Sequence, residues 1–192
     1  AIGERGTLLA LAATAHHIAP LGGPQPELIV GHGVLGRLLA RLALASGGPA
    51  PVVWDRDPSR RFGATGYSVI APEDDDRHDY QRICDVSGSA DVLDTLISRL
   101  APGGEIVLAG FYDRPISFAF PPAFMREARI RIAAQWQPAD LSAAAEAVVA
   151  GHLDLEGLIT HRVPSEDAAP AYEQAFGDTQ CLKMCLDWRA MS

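Results

Sequence analysis

The stretch that most constrains the fold runs from Glu27 to Asp55, ELIVGHGVLGRLLARLALASGGPAPVVWD. It opens with a short apolar run, 28–30, of the kind found in strands buried on both faces. Four leucines then recur at helical spacing and predict one buried helix face: Leu35, Leu38, Leu39 and Leu42. A glycine–proline break leads into a second apolar strand, 52–54, which ends in Asp55. The order strand, helix, strand predicts a parallel sheet with helices packed on it.

A glycine loop of the form G-x-G-x-x-G joins the first strand to the helix, and its members are Gly31, His32, Gly33, Val34, Leu35 and Gly36. Gly31 permits a tight turn, Gly33 lets a ligand approach the backbone, and Gly36 lets the helix pack close to the strand. The N-terminus of the helix offers unpaired N–H groups to a phosphate. An acid about 20 positions further on completes a dinucleotide-binding pattern. The alternative is a glycine turn that binds nothing.

Asp55 is that acid. Its carboxylate suits the two hydroxyls of a ribose and would repel a 2′-phosphate, by roughly 4 kcal/mol for unit charges about 4 Å apart near a protein surface. Asp57, which precedes Pro58, is the better helix cap, so we expect Asp55 to be free for a ligand. These features favour NAD over NADP. Arg56 opposes that preference, because it could face a 2′-phosphate.

The composition narrows the class of protein. The chain has 192 residues, 48% of them hydrophobic, and a net charge of −8, which argues against non-specific nucleic-acid binding. No apolar run approaches the roughly 18 residues of a membrane span. The three cysteines, Cys84, Cys181 and Cys185, form no C-x-x-C pair. We therefore expect reduced thiols, no metal site and a cytoplasmic protein.

Further strands alternate with helices along the chain. The predicted strands are Tyr67–Ile70, Ile83–Val86, Glu105–Ala109, Ser117–Phe120 and Arg129–Gln135, and the predicted helices are Ala90–Leu100 and Ala139–Ala150. Two of these strands end in residues that are candidates to line a cleft, because ligands bind at the carboxyl ends of parallel strands: Ser87 and Gly88, then Ala109, Gly110 and Phe111. The alternative is that these glycines only serve turns.

Several surface features complete the interpretation. Charged and apolar residues alternate in the strand from Arg129, as in an edge strand that invites pairing, so we expect a homodimer. The acidic run 74–76 could bind a cation, but a solvated loop is the more typical structure for it. A helix over 7–19 ends in His16 and His17, which as neighbours cannot share a helix face and instead suit the helix dipole. In the tail, 158–163 and 181–188 alternate like strands around a helix over 165–176.

Together these pieces resemble the medium-chain dehydrogenase/reductase superfamily over nearly the whole chain. The resemblance lies in GHGVLG, Asp55, DVSGSADVLDTLISRLAPGGEIVLAGF and the tail GLITHRVP…AYEQAF…CLKMCLDW. It implies a Rossmann doubly wound sheet, NAD as cofactor and the oxidation of an alcohol. Matched position by position, the cofactor fingerprint is Gly31, Gly33, Gly36 and Asp55. The positions near adenosine and nicotinamide are Ser87, Gly88, Ala109, Gly110 and Phe111.

A narrower resemblance rests on LIVGHGVLGRLLARL, GGEIVLAGFY, FAFPPAFMREARIRIAAQWQPADLS and GLITHR. It points to a branch of the superfamily that oxidises a hydroxyethyl group on a chlorin-type pigment. The alternatives are another medium-chain alcohol dehydrogenase, a quinone reductase or a non-catalytic NAD-binding module.

Members of this family carry an N-terminal catalytic domain, so the resemblance implies that this chain is the cofactor-binding portion. Residues 1–26 would be a joining helix and linker, 27–152 the NAD-binding domain, and 153–192 a tail that returns to the catalytic domain. No matched position has a role in proton transfer, so no catalytic residue is predicted, and this portion alone is expected to be inactive.

Overall fold

The computed structural model describes residues 2–189. Six strands form one sheet in the order β3-β2-β1-β4-β5-β6, with every neighbouring pair parallel. They are β1 Leu28–Val30, β2 Val52–Trp54, β3 Ser68–Ile70, β4 Tyr80–Asp85, β5 Leu100–Leu108 and β6 Arg129–Ile132. This is the strand order of a doubly wound Rossmann sheet, which confirms the predicted fold class.

Helices cover both faces of this sheet. They are α1 Leu9–Ile18, α2 Val34–Ala45, α3 Leu93–Arg99, α4 Phe120–Met125 and α5 Pro138–Val149, whereas a sixth helix, α6 Ala168–Gly177, packs in the tail. Successive side chains of a strand point to opposite faces. Ile29 therefore joins the apolar core shared with α1, α2 and α5, whereas Leu28 and Val30 join the core shared with α3.

The tail forms a separate two-stranded parallel sheet from β7 His161–Pro164 and β8 Met184–Asp187. Helix α6 lies between these strands in the chain and contacts both of them. This agrees with the predicted order of strand, helix and strand. Within residues 2–189, no helix is long and apolar enough to cross a membrane. All three cysteines are free thiols.

Two local predictions are wrong. The strand predicted over 117–120 does not form, and α4 begins at Phe120 with Pro121 in its first turn. Proline suits that position because the first N–H groups of a helix have no partner, and it cannot donate to a sheet ladder. In the acidic run, Asp75 is only 6% exposed. Its carboxylate accepts hydrogen bonds from Trp54 Nε1 and the Tyr80 hydroxyl, both at 2.7 Å, so this residue is not in a solvated loop.

The paired histidines also differ from expectation. They lie in the last turn of α1, as predicted. However, the Nδ1 atoms of His16 and His17 both reach the carboxylate of Asp140, at 3.1 and 2.9 Å. That carboxylate also accepts from the backbone N–H of Gln137 and so caps α5. The two histidine side chains bind the same carboxylate because α5 packs against α1 and brings Asp140 to the end of that helix.

Candidate dinucleotide-binding cleft

A cleft of about 190 Å³ opens at the carboxyl ends of β1, β2 and β4. It lies at the point where the strand order reverses between β1 and β4, which is where ligands bind in open α/β sheets. Five of the predicted site residues line it: Gly31, Gly33, Asp55, Arg56 and Ser87. The sequence interpretation missed the other lining residues, which are Val30, Trp54, Arg60, Pro72, Val86, Ser89 and Val92.

The three glycines of the loop have different surroundings. Gly31 has a φ of 104°, and a Cβ there would lie 3.1 Å from the backbone of Ser87. A Cβ on Gly36 would overlap the carbonyl oxygen of Gly31, so this glycine is required where α2 packs on the loop. At Gly33 the nearest atom to a Cβ would be Arg60 Nη1, 3.8 Å away. The space in front of Gly33 is therefore open, as the approach of a pyrophosphate requires.

The other members of the loop point into the protein. Val34 is buried, and the half-buried Leu35 packs against the same core. His32 is fully buried. Its Nδ1 lies 2.6 Å from the carbonyl oxygen of Arg60, and its Nε2 lies 2.8 Å from the Tyr67 hydroxyl. Burial lowers the pKa of His32, so the imidazole is held in its neutral form as a link between the loop and the segment after β2.

Arg37, in the first turns of α2, strengthens this link. It is 8% exposed. Its guanidinium donates to the carbonyl oxygens of His32, Arg60, Phe62 and Gly63, at 2.8–3.3 Å. Burial lowers the pKa of this arginine, yet four carbonyl dipoles surround the charge. The glycine loop and the 60–63 segment are thus held together before any ligand binds.

Asp55 is less free than the sequence suggested. One carboxylate oxygen accepts the backbone N–H of His32 at 2.8 Å, and the other accepts the N–H of Asp57 at 2.9 Å. Asp57 does cap the short helical turn after it, accepting from Ser59 N at 2.9 Å. A carboxylate oxygen has two lone pairs. Asp55 can therefore hold the glycine loop and still accept a ribose hydroxyl on each oxygen.

Two arginines bring positive charge to the same cleft. Arg56 is exposed, and its Nη2 lies 3.5 Å from Ser89 Oγ. Arg60 Nε donates to the carbonyl oxygen of Thr179, at 2.9 Å. This contact spans more than a hundred residues of sequence, and no local pattern could have predicted it. The cleft therefore combines one carboxylate with two guanidinium groups.

The second half of the site lies past the ends of β4 and β5. Asp85, the last residue of β4, is 0% exposed. One of its carboxylate oxygens accepts from the backbone N–H and the hydroxyl of Ser87, at 2.9 and 2.7 Å. The other accepts from the Tyr112 hydroxyl at 2.9 Å. Burial raises the pKa of both Asp85 and Tyr112.

Close backbone contact joins the two strand ends. A Cβ on Gly88 would lie 2.6 Å from the carbonyl oxygen of Phe111, and one on Gly110 would lie 2.7 Å from the nitrogen of Gly88. Ala109 precedes this contact, and its N–H donates to the carbonyl oxygen of Asp85 at 2.9 Å. The Phe111 side chain is fully exposed. Of the predicted residues, Ser87 lines the cleft, whereas Gly88, Ala109, Gly110 and Phe111 lie beside it and do not line it.

The cleft beside the glycine loop is compatible with the binding of a nucleotide. The glycine loop offers an open backbone at the start of α2, and Asp55, Arg56 and Arg60 flank it. Within residues 2–189, no group of three or more His, Cys, Asp and Glu side chains lies close enough to hold a metal ion.

Comparison with known proteins finds relatives of this chain and solved structures of the same fold. No family model matches the chain. It is 60% identical over 98% of its residues to the 2-desacetyl-2-hydroxyethyl bacteriochlorophyllide A dehydrogenase of Rhodobacter capsulatus. It is 57% identical over 99% to the protein of the same name from Cereibacter sphaeroides. The chain spans 60% of the length of each relative.

Solved structures share the fold. An alcohol dehydrogenase from Escherichia coli CFT073, complexed with NADH, superposes with a TM-score of 0.82 at 18% identity, covering 97% of this chain and 60% of that one. The alcohol dehydrogenase TADH from Thermus sp. ATN1 gives a TM-score of 0.80 at 23% identity, covering 94% and 57%. The identity to the two bacteriochlorophyllide dehydrogenases, together with this shared fold, agrees with the resemblance to the medium-chain dehydrogenase/reductase superfamily.

Proposed function

We propose that this chain is the NAD-binding portion of a dehydrogenase that oxidises the hydroxyethyl group of a bacteriochlorophyllide to acetyl. The observation that carries the proposal is the identity of 60% and 57% to the two bacteriochlorophyllide dehydrogenases, sustained over nearly the whole chain. Because the chain spans only 60% of those relatives, the proposal for substrate and activity concerns the whole protein. Within this chain, residues 1–26 would form a joining helix and linker, and residues 27–152 would bind NAD. Residues 153–192 would form a tail that returns to the catalytic domain of the whole protein.

The proposed reaction removes two hydrogens from a secondary alcohol. A bound NAD⁺ would supply the hydride acceptor, and the alcohol, on losing a hydride from its carbinol carbon and a proton from its hydroxyl to solvent, would become a ketone. The residues of this chain would bind and orient the cofactor. Gly33 and the start of α2 would hold the pyrophosphate, and Asp55 would hold the adenosine ribose. The surface from Ser87 to Phe111 would support the nicotinamide half.

The side chain of Phe111 is a candidate contact for the pigment. It stands fully exposed where β5 ends, and an aromatic face suits a large flat macrocycle. Two other aromatic groups are already engaged. The Tyr112 hydroxyl binds Asp85, and Trp136 packs against the core beside α1 and α5.

A direct optical assay tests the reaction. Oxidation to acetyl conjugates a carbonyl with the macrocycle, so the long-wavelength absorption band should shift to the red while NADH appears. The assay needs a chain that spans the full length of the relatives, with NAD and the hydroxyethyl pigment supplied. The 192-residue chain alone should bind NADH without turnover. Rapid oxidation of simple alcohols with no pigment shift would move the protein to another branch of the superfamily.

The cofactor preference is a separate proposal. Asp55 supports NAD, because its charge opposes a 2′-phosphate, whereas Arg56 and Arg60 in the same cleft oppose that preference. Titration with NAD and NADP decides between them. We expect the parent to bind NAD more tightly, and Asp55→Ser to shift the ratio towards NADP by about tenfold, or about 1.4 kcal/mol. A parent that already prefers NADP would assign the dominant role to the arginines.

We also propose that the protein forms a homodimer through β6, the edge strand of the sheet. Ile132 is 77% exposed on this strand, and Ile130 of the same strand lines a groove with the exposed Phe120, Phe124 and Met125 of α4. Light scattering at tens of micromolar protein should give twice the monomer mass, and Ile132→Pro should return it to the monomer. Phe176→Ser, on the exposed face of the tail, serves as the matched control. Loss of the dimer in that variant instead would place the contact in the tail. The cytoplasmic location expected from the cysteines stays a prediction.

A further inference from the structure

The guanidinium of Arg60 lies beside the space through which a pyrophosphate must approach the glycine loop. The loop pattern needs a residue without a side chain at Gly33, because the pyrophosphate takes the place that a side chain would fill. The atom nearest to that place is Arg60 Nη1, which lies 3.8 Å from the position of a Cβ on Gly33. Both residues line the cleft. A phosphate in front of Gly33 would therefore also lie in front of Arg60.

The main chain of Arg60 is held from the side of the glycine loop. Its carbonyl oxygen lies 2.6 Å from His32 Nδ1 and accepts a hydrogen bond from Arg37 Nη2 at 3.3 Å. Its N–H donates to the carbonyl oxygen of Asp57 at 3.0 Å. The network that fixes the glycine loop thus also fixes the point from which the Arg60 side chain starts.

The side chain of Arg60 is held from the tail. Its Nε donates to the carbonyl oxygen of Thr179 at 2.9 Å. Among residues 2–189, its two Nη atoms meet no hydrogen-bond acceptor and form no ion pair. A guanidinium presents its donors in a rigid planar fork, so a bond at Nε sets the direction of the Nη donors. Arg60 is therefore fixed through one edge of the fork, and its Nη donors are available to an anion.

Thr179 belongs to a turn, residues 178–181, that follows α6 in the tail. The N–H of Cys181 donates to the carbonyl oxygen of Asp178 at 3.0 Å. The carboxylate of Asp178 accepts the N–H of Gln180 at 2.8 Å. These two local hydrogen bonds hold the turn in its conformation, and with it the direction of the Thr179 carbonyl.

We propose that Arg60 binds the pyrophosphate of the dinucleotide, and that the 178–181 turn positions its guanidinium in front of Gly33. The contact would be a charge-assisted hydrogen bond between a guanidinium and a phosphate. NAD and NADP both carry this pyrophosphate, so Arg60 would strengthen the binding of either cofactor without discriminating between them. This inference rests on the proposed function, and it adds a segment of the tail to the machinery of the cleft.

Titration of the 192-residue chain with NADH, NADPH and adenosine tests the role of Arg60. Arg60→Gln removes the charge, so NADH and NADPH should both bind about tenfold more weakly, whereas adenosine, which carries no phosphate, should bind within about twofold of the parent. The control is Arg5→Gln, which removes the same charge from an exposed arginine that pairs with Glu156 at 3.2 Å. This control should keep all three affinities within about twofold of the parent.

Substitutions in the turn test its part, because the Thr179 carbonyl belongs to the main chain. Asp178→Ala removes the acceptor for the Gln180 N–H and should weaken NADH about fivefold, whereas Asp178→Asn keeps an amide oxygen there and should change the affinity less than about twofold. In the Arg60→Gln background, Asp178→Ala should have no further effect, because the turn acts through Arg60. Near-ultraviolet circular dichroism verifies folding.

A further variant leaves the turn intact and serves if Asp178→Ala does not fold. Arg60→Lys keeps the charge but has no Nε donor for the Thr179 carbonyl. Its affinity for NADH should lie between those of the parent and Arg60→Gln. An affinity equal to the parent's would show that the bond to the turn contributes nothing to cofactor binding.

Several results would overturn the proposal. An unchanged affinity of Arg60→Gln for NADH would remove Arg60 from the site and leave the proposed function in place. A loss confined to NADPH would assign Arg60 to the 2′-phosphate, and an equal loss for adenosine would assign it to the ribose or the base. Equal effects of Asp178→Ala in both backgrounds would show that the turn has only a structural role. A parent that binds no dinucleotide would overturn the proposed function itself, and this inference with it.

Discussion

Each half of the cleft is held together by one buried ionisable side chain, a guanidinium in the first half and a carboxyl group in the second. In the first half, the guanidinium of Arg37 joins the glycine loop to the 60–63 segment through four carbonyl oxygens. In the second half, the carboxylate of Asp85 joins the loops after β4 and β5 through one N–H and two hydroxyls. Neither side chain forms an ion pair in the described residues, so in both halves neutral dipoles offset the loss of hydration.

The difference between the halves lies in how many segments each of these side chains connects. Arg37 works with His32, and together they bind α2, the glycine loop and the segment before β3. Asp85 works beside a contact between Gly88 and Gly110 that needs no side chain at all. The first half therefore depends on a hydrogen-bond network, and the second on one carboxylate and close backbone packing. The predictions below test this contrast.

The largest expected effect is on folding of the first half. Gly36→Ala would place a Cβ against the carbonyl oxygen of Gly31, so α2 must move away from β1. We expect the free energy of unfolding to fall by about 3 kcal/mol, which lowers Tm by roughly 6–12 °C in a chain of this size. Calorimetry measures the change. The control is Gly48→Ala, where a Cβ would meet nothing within 4 Å. An unchanged Tm in Gly36→Ala would contradict the close packing.

The second effect is on binding without loss of folding. Gly33 has φ −74° and ψ −169°, an extended conformation that valine also adopts, and the space before it is open. Gly33→Val should therefore fold normally but weaken NADH at least tenfold, or about 1.4 kcal/mol, because the side chain fills the pyrophosphate position. Fluorescence titration with NADH gives the affinity. A folded variant with the parent's affinity would remove the glycine loop from the site.

The third effect separates two arginines of the same helix. Arg37→Met leaves four carbonyl oxygens without their donor and should lower the free energy of unfolding by about 2 kcal/mol. Arg41 makes hydrogen bonds to the carbonyl oxygens of Asp154 and Glu156 near the surface, and Arg41→Met should cost less than about 1 kcal/mol. Urea unfolding compares the two variants. Equal losses of unfolding free energy in the two variants would show that the buried hydrogen bonds of Arg37 contribute no more to stability than the exposed ones of Arg41.

The smallest effect is a difference in pH dependence. Burial lowers the pKa of His32, so the unfolded chain takes up this proton first as the pH falls below about 6.5. Stability present above that pH is then lost as the pH falls towards the folded pKa, by at most about 1.4 kcal/mol per pH unit for one proton. His32→Asn should flatten this slope in urea unfolding, whereas His152→Asn, at an exposed position, should leave it unchanged.

Asp85 should change the pH dependence of stability in the opposite direction from His32. Burial raises its pKa, so the folded chain takes up this proton first, and its contribution to stability grows as the pH falls through that raised pKa. Asp85→Asn should therefore steepen the loss of stability in acid. A flatter slope in that variant would show that the carboxylate is not held at a raised pKa.

Short-range patterns were sufficient for much of the fold. The apolar runs, the helical leucine spacing and the glycines between Glu27 and Asp55 predicted β1, α2 and β2 as they are observed. Asp57 before Pro58 predicted a helix cap, which forms. These predictions hold because periodicity, turn geometry and capping depend on residues a few positions apart.

Only the tertiary structure decided which polar groups are buried and what they bind. Arg37 lies off the apolar stripe of α2, yet it is buried because the 60–63 segment folds over it. Asp75 belongs to an acidic run, yet Trp54 and Tyr80 enclose it. Asp85 and Tyr112 are 27 positions apart and meet only because β4 and β5 are neighbours in the sheet. Sequence spacing records which residues can share a face, but the free energy of burying a charge depends on partners that distant segments supply.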